Sequence, residues 1–118
     1  MMSIESLMQS SLLGVFNQRD EPARLEAMRE LYAPGIRFSD DEGTVTGINA
    51  VNAKIRILQE RTPGFVFSAA GPVHEVQDLG SLAWSYGPEG ADPVVSGTDV
   101  VLVSDSLIVS LYTYLTGR

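Results

Sequence analysis

Gly97-Thr98-Asp99-Val100-Val101-Leu102-Val103 is the stretch on which the fold of this chain turns. Its β-branched, apolar composition predicts a strand, within a longer run from Val94 to Ser104. Asp99 interrupts that run. A carboxylate there must face water, pair with another group or stay protonated, because a bare buried charge is too costly. Alternation sets Asp99, Val101 and Val103 on one face and Thr98, Val100 and Leu102 on the other. Both faces are apolar, as expected of a sheet covered by helices inside and by a partner outside. Asp99 therefore either faces an enclosed pocket or sits at the strand's open end, satisfied by water or by Arg37.

Working outward, Ser106 to Leu115 predicts a second long strand, joined to the first by a tight turn near Ser104-Asp105-Ser106. Upstream, Ser81 to Gly87 carries the alternating trio Leu82, Trp84 and Tyr86, followed by a Pro- and Gly-rich loop from Pro88 to Pro93. Phe65 to Ala70 and Val73 to Gln77 flank a Gly71-Pro72 break. Three helices precede all of this. Ile4, Leu7, Met8, Leu12, Val15 and Phe16 have the spacing of one helical face. Asp20-Glu21-Pro22 starts a second helix, with an N-cap acid and proline in the first turn. Its stripe is Leu25, Met28, Leu31 and Tyr32, and Pro34-Gly35 stops it. After a short strand, Ile36 to Ser39, and an acidic turn, Asp40 to Gly43, a third helix runs from about Gly47 to Arg61. Helices followed by a run of strands predict an α+β domain spanning 1–118, with helices on one face of an antiparallel sheet.

Composition narrows the function. There is no cysteine, so no disulfide, thiolate nucleophile or cysteine-ligated metal is available. The formal net charge is −7 and the eight Lys and Arg form no basic stripe, which argues against nucleic acid as a partner. The same charge disfavours anionic membranes. The apolar start lacks a basic residue and is interrupted by Glu5 and Gln9, unlike a signal peptide. No apolar run approaches the roughly 20 residues that span a bilayer. These features predict a cytoplasmic protein. His74, the sole histidine, lies beside Glu75, Gln77 and Asp78 and is expected on an exposed strand. One histidine without cysteine gives no metal site, and no cofactor motif, phosphate loop or Ser-His-Asp pattern is present.

The order of these pieces resembles the nuclear transport factor 2-like superfamily, within it the SnoaL-like and ketosteroid isomerase-like proteins. The matching elements are Leu31-Tyr32-Ala33-Pro34, the strand ending at Asp40, Gly47 before the third helix, Gly71-Pro72-Val73, Asp99-Val100, and the closing Ile108 to Leu115 strand. The resemblance implies a cone-shaped curved antiparallel sheet, a cystatin-like α+β barrel, closed by the three helices of the N-terminal half. Its interior is an apolar pocket for a small apolar or cyclic molecule. It implies a homodimer formed through the outer face of the sheet.

Ketosteroid isomerases use an aspartate base, a protonated aspartate and a helix-one tyrosine. By resemblance Asp40 matches the base and Asp99 the protonated acid. No tyrosine stands on the first helix, which offers Val15 and Phe16 instead. Limonene epoxide hydrolase-like members use an Arg-x-Asp pair, but Gly97 holds the arginine position and Thr116 stands near that of their second aspartate. The expected activity is acid–base proton transfer next to a carbonyl. Asp40 removes the proton, and Asp99 hydrogen-bonds the developing enolate. Phe16, Tyr32, Leu58, Trp84, Tyr86, Val101, Leu111 and Leu115 are the expected pocket residues, with Tyr32 or Tyr86 as a substitute donor. Tyr112 and Tyr114, alternating with Leu111, Thr113 and Leu115, are expected at the dimer face. Alternatives are a non-catalytic ligand-binding or interaction module of the same fold, and a dimer domain whose cone is filled by side chains.

Overall fold

The computed structural model describes residues 2–117. The chain begins with α1 (Ile4–Gln9), capped by the Ser3 hydroxyl, which accepts from the Ser6 amide. It continues as a π-helical segment, Ser10–Val15, in place of a uniform first helix. The wider winding leaves Leu12 and Val15 buried, so the predicted apolar face survives the change of pitch. α2 (Glu21–Leu31) starts at Asp20, whose side chain accepts from the Ala23 amide.

α2 ends one residue earlier than the apolar stripe suggested. Tyr32 is not on the helix: it opens β1 (Tyr32–Asp40), because the chain before Pro34 is already extended. β2 (Gly43–Thr46) folds back on β1, with Asp40 opposite Gly43. This short hairpin partner was not foreseen. α3 (Ile48–Arg61) follows, burying Val51 and Ile55. β3 (Phe65–Ala69), β4 (His74–Val76), β5 (Leu79–Pro88), β6 (Val95–Ser104) and β7 (Leu107–Gly117) complete the sheet.

The seven strands run in the order β2-β1-β7-β6-β5-β3, with β4 also paired to β5. All pairs are antiparallel except β1 with β7, which is parallel. The sheet is curved and unclosed, and the fold is α+β as expected. Asp105 and Ser106 have positive φ values of 52° and 66°, the primed turn that matches the twist of a β6–β7 hairpin. α1 sits directly on β5 at Gly80, where a Cβ would lie 2.5 Å from Ile4 and 2.8 Å from Met8.

The concave face of the sheet packs against the helices through Leu82, Val101, Ile108 and Leu111, with Leu7, Leu12, Met28 and Ile55 opposite. The convex face carries Tyr112 and Tyr114, both exposed. His74 is exposed on β4. No helix among the described residues is long and apolar enough to cross a membrane.

Candidate active site

The concave face and α3 line an open pocket of about 900 Å³. Its walls include Phe16, Phe38, Phe65, Phe67, Trp84 and Tyr86. Phe67 is the centre of this aromatic group. It stacks on Tyr86 at 4.1 Å between ring centroids and meets Trp84 and Phe16 edge-on at 5.2 and 5.8 Å. The pair Phe65-x-Phe67 reaches the cavity by simple strand alternation on β3.

Asp99 and Asp40 both line this cavity. The register explains how. Ser39 lies beside Tyr112, and Tyr112 beside Val100, so one residue on Asp40, Thr113 and Asp99 form the next row across β1, β7 and β6. Two strand spacings put the Asp40 and Asp99 Cα atoms about 10 Å apart.

Asp99 is 7% exposed. Its carboxylate accepts a hydrogen bond from Trp84 Nε1 at 2.9 Å. Gly97 makes this contact geometrically available. It lies opposite Trp84, and a Cβ there would be 2.3 Å from the indole ring. The seven-residue stretch Gly97–Val103 within β6 therefore carries both the acid and the gap that admits its donor. Burial raises the Asp99 carboxyl to about 6, against the Thr113 and Trp84 side chains, which favour the charged form. An indole N–H can only donate, so Asp99 acts here as an acceptor.

Asp40 has a different setting. Its carboxylate meets the Lys54 ammonium at 2.5 Å and also accepts from the Glu42 amide at 2.9 Å. Lys54 reaches Glu42 at 3.1 Å and stands 5.8 Å from the centre of the Phe38 ring. Burial works to lower the Lys54 ammonium, but its hydrogen bonds to Asp40 and Glu42 outweigh it and hold it above the usual lysine range. Asp40 is thus half of an ion pair, where an unpaired base was expected.

Phe16, Leu58, Trp84, Tyr86 and Leu115 stand on the cavity wall. Tyr32, Val101 and Leu111 do not. They are buried in the core outside it, at 1% exposure each. Neither tyrosine proposed as a substitute donor reaches Asp99. The Tyr32 hydroxyl pairs with Ser11 at 2.5 Å, and burial pushes its phenol well above the usual range. The Tyr86 hydroxyl pairs with Thr62, whose own proton goes to the Leu58 carbonyl at 2.6 Å. Arg37 lies opposite Ser110, away from Asp99's row, and forms no ion pair with it. Lys54 and Thr113 were missed by sequence reasoning. Thr113 could have been found, since it alternates with Leu111 and Leu115. Nothing local marks Lys54 as the partner of Asp40. No cluster of ligating side chains among the described residues could hold a metal ion.

Scans against protein-family models and against curated proteins return no match. Solved structures do match. A SnoaL-like family protein from Agrobacterium tumefaciens is 24% identical, with a TM-score of 0.88 over 95% of this chain and 96% of that one. A Jannaschia protein assigned as a SnoaL-like polyketide cyclase is 16% identical, with a TM-score of 0.77 over 98% of this chain and 90% of that one. A protein of unknown function from Exiguobacterium, described as nuclear transport factor 2-like, is 21% identical, with a TM-score of 0.73 over 93% and 98%. With its curved sheet, helical cover and concave cavity, the chain has the nuclear transport factor 2-like fold.

Proposed function

We propose that this protein is a small-molecule enzyme of the ketosteroid isomerase-like or SnoaL-like type, moving a proton next to a carbonyl. The observation that carries this is Asp99: a buried carboxyl lining an aromatic cavity, with no cationic partner among the described residues, and raised by burial to about 6. A base works best with a pKa close to the working pH. Asp99 takes the proton from the carbon beside the carbonyl; the C–H electron pair becomes the new C=C bond, and the carbonyl π pair moves to the oxygen, giving an enolate. Asp99 then returns the proton to the same or a conjugated carbon. Lys54 has three N–H donors, two engaged by Asp40 and Glu42. The third supports the developing oxyanion, and Asp40 holds the ammonium in place. Both acids keep a role, with the base moved from Asp40 to Asp99.

The test is exchange of substrate protons in deuterated water, followed by NMR over a panel of cyclic ketones and enones. Exchange above the buffer rate is expected, with Asp99→Asn slowing it by about 10²–10⁴-fold. No exchange across the panel, or an unchanged variant, overturns the assignment. The engagement of both tyrosine hydroxyls elsewhere favours the second possibility, a ligand-binding module without turnover. The homodimer through the convex face, where Tyr112 and Tyr114 are exposed, and the cytoplasmic location belong to the same proposal.

A further inference from the structure

Three features of the cavity bear on what it holds. Asp99 is buried, and among the described residues no cation forms an ion pair with it. Its known supports, Trp84 and Thr113, are neutral. A carboxylate has about four lone-pair sites, so capacity remains on the cavity side. The second feature is the aromatic lining of the same cavity, since aromatic faces attract cations. The third is the balance of lining charge. Asp40, Asp41, Glu42 and Asp99 stand against Lys54 and Arg61, four acids to two bases. Lys54 is already held by two of those acids.

From these we infer that the cavity selects hydrophobic organic cations: ring-bearing amines in their protonated form, or quaternary ammonium compounds, with the positive nitrogen set among the rings against the Asp99 carboxylate. Anionic ligands meet a net negative lining. Neutral ligands leave the buried carboxylate without a counter-charge. A bound cation supplies that charge in a site where water screens it little. The inference goes beyond the proton transfer proposed above and does not require it.

Trp84 is the sole tryptophan and donates to Asp99, so its fluorescence reports directly on the cavity. The full chain is titrated with two probes that differ only in replacing a quaternary carbon by nitrogen: 4-tert-butylbenzyl alcohol and its trimethylammonium counterpart. The cation is expected to bind at least about tenfold more tightly than the alcohol. In Asp99→Asn that ratio is expected to collapse towards one, with the affinity for the alcohol retained. Equal or tighter binding of the alcohol to the unaltered protein overturns the inference, as does absence of binding by both. A cation preference that survives intact in Asp99→Asn also overturns it. Should that variant not fold, the ratio measured on the unaltered protein decides alone. Proton exchange can fail while this ratio holds, and the reverse, so the two ideas fall separately.

Discussion

Among the described residues, two ionisable side chains are buried in the interior, and they are treated in opposite ways. Arg24 on α2 is 1% exposed, yet each of its three guanidinium nitrogens donates to a partner. Nε donates to Asn52 at 2.7 Å. Nη1 donates to the Gln18 carbonyl and to Gln59, both at 2.8 Å, and Nη2 reaches Glu21 at 3.3 Å. Glu21 in turn accepts from Asn52 and Arg56. Asp99 is almost as buried but has neutral supports and an open cavity in front of it. Burial of a charge is therefore not by itself a sign of chemistry. What separates the two is whether the protein completes the charge's partners. Arg24 joins α2 to α3 and closes its own network, whereas Asp99 is left able to accept one more group.

The largest test of that contrast is Arg24→Met. It leaves Asn52, Gln59 and the Gln18 carbonyl facing an apolar side chain, and a loss of about 3–5 kcal/mol in urea unfolding is expected. A loss below about 1 kcal/mol would mean that the network adds little and that the contrast is false. Gly97→Ala comes next. The new Cβ would lie 2.3 Å from the indole and 2.5 Å from the Tyr114 carbonyl, so something in the sheet must move. The expected cost is about 1–3 kcal/mol, with a shift in Trp84 emission as its N–H leaves Asp99. An unchanged emission spectrum would show that the gap at Gly97 does not position the donor.

These two charges also mark how far the sequence could be read. Asp99 was legible because it breaks an apolar run, a local conflict visible within seven residues. Arg24 was not, because it looks like one more polar position on a helix, and its partners Asn52 and Gln59 lie 28 and 35 residues downstream. The helices, the β6–β7 hairpin and the α+β order followed from periodicity and turn chemistry, which are local. The parallel β1–β7 pair joins chain segments far apart in sequence, and no local pattern specifies it. β2 was lost because Gly43-Thr44-Val45-Thr46 reads as the tail of an acidic turn. The aromatic wall was half legible: Trp84 and Tyr86 came from alternation, while Phe65 and Phe67 needed the tertiary packing that sets Phe67 against Phe16 and Tyr86. The expected role of Asp40 depended on what lay opposite it, and Lys54 is fixed there only by tertiary structure.

Asp99→Asn sharpens the comparison from the other side. The folded-state carboxyl titrates at about 6, above its ordinary value of 3.8. The folded protein therefore binds more protons than the unfolded chain between these values, and stability falls as pH rises through that window. Below about pH 4 the penalty is absent, and above about pH 6 it is complete. An amide at position 99 keeps an oxygen for the Trp84 N–H and does not ionise. The variant is expected to be about 1–2 kcal/mol more stable than the unaltered protein at pH 7 and equal to it near pH 4. Chemical denaturation at the two pH values checks this. A variant less stable at pH 7 would place Asp99 with Arg24, as a charge the fold depends on.

The smallest expected effect on stability lies at the rim. Lys54 and Asp40 are partly exposed, at 23% and 16% of their side-chain surfaces, so water shares in solvating both. Pairs in such settings contribute little, and Lys54→Met is expected to cost no more than about 1 kcal/mol. Its consequence for turnover is different in kind. If the Lys54 ammonium supports the enolate, the same variant slows proton exchange by about 10²-fold or more, because an oxyanion forming beside Asp40 and Glu42 loses the ammonium that donates to it. A methionine also keeps most of the aliphatic stem, so lost packing does not mimic lost charge. Exchange that is unaffected in Lys54→Met, alongside exchange lost in Asp99→Asn, would confine the chemistry to the cavity floor. Lys54 would then do for Asp40 and Glu42 what Glu21 does for Arg24, satisfying a charge without using it.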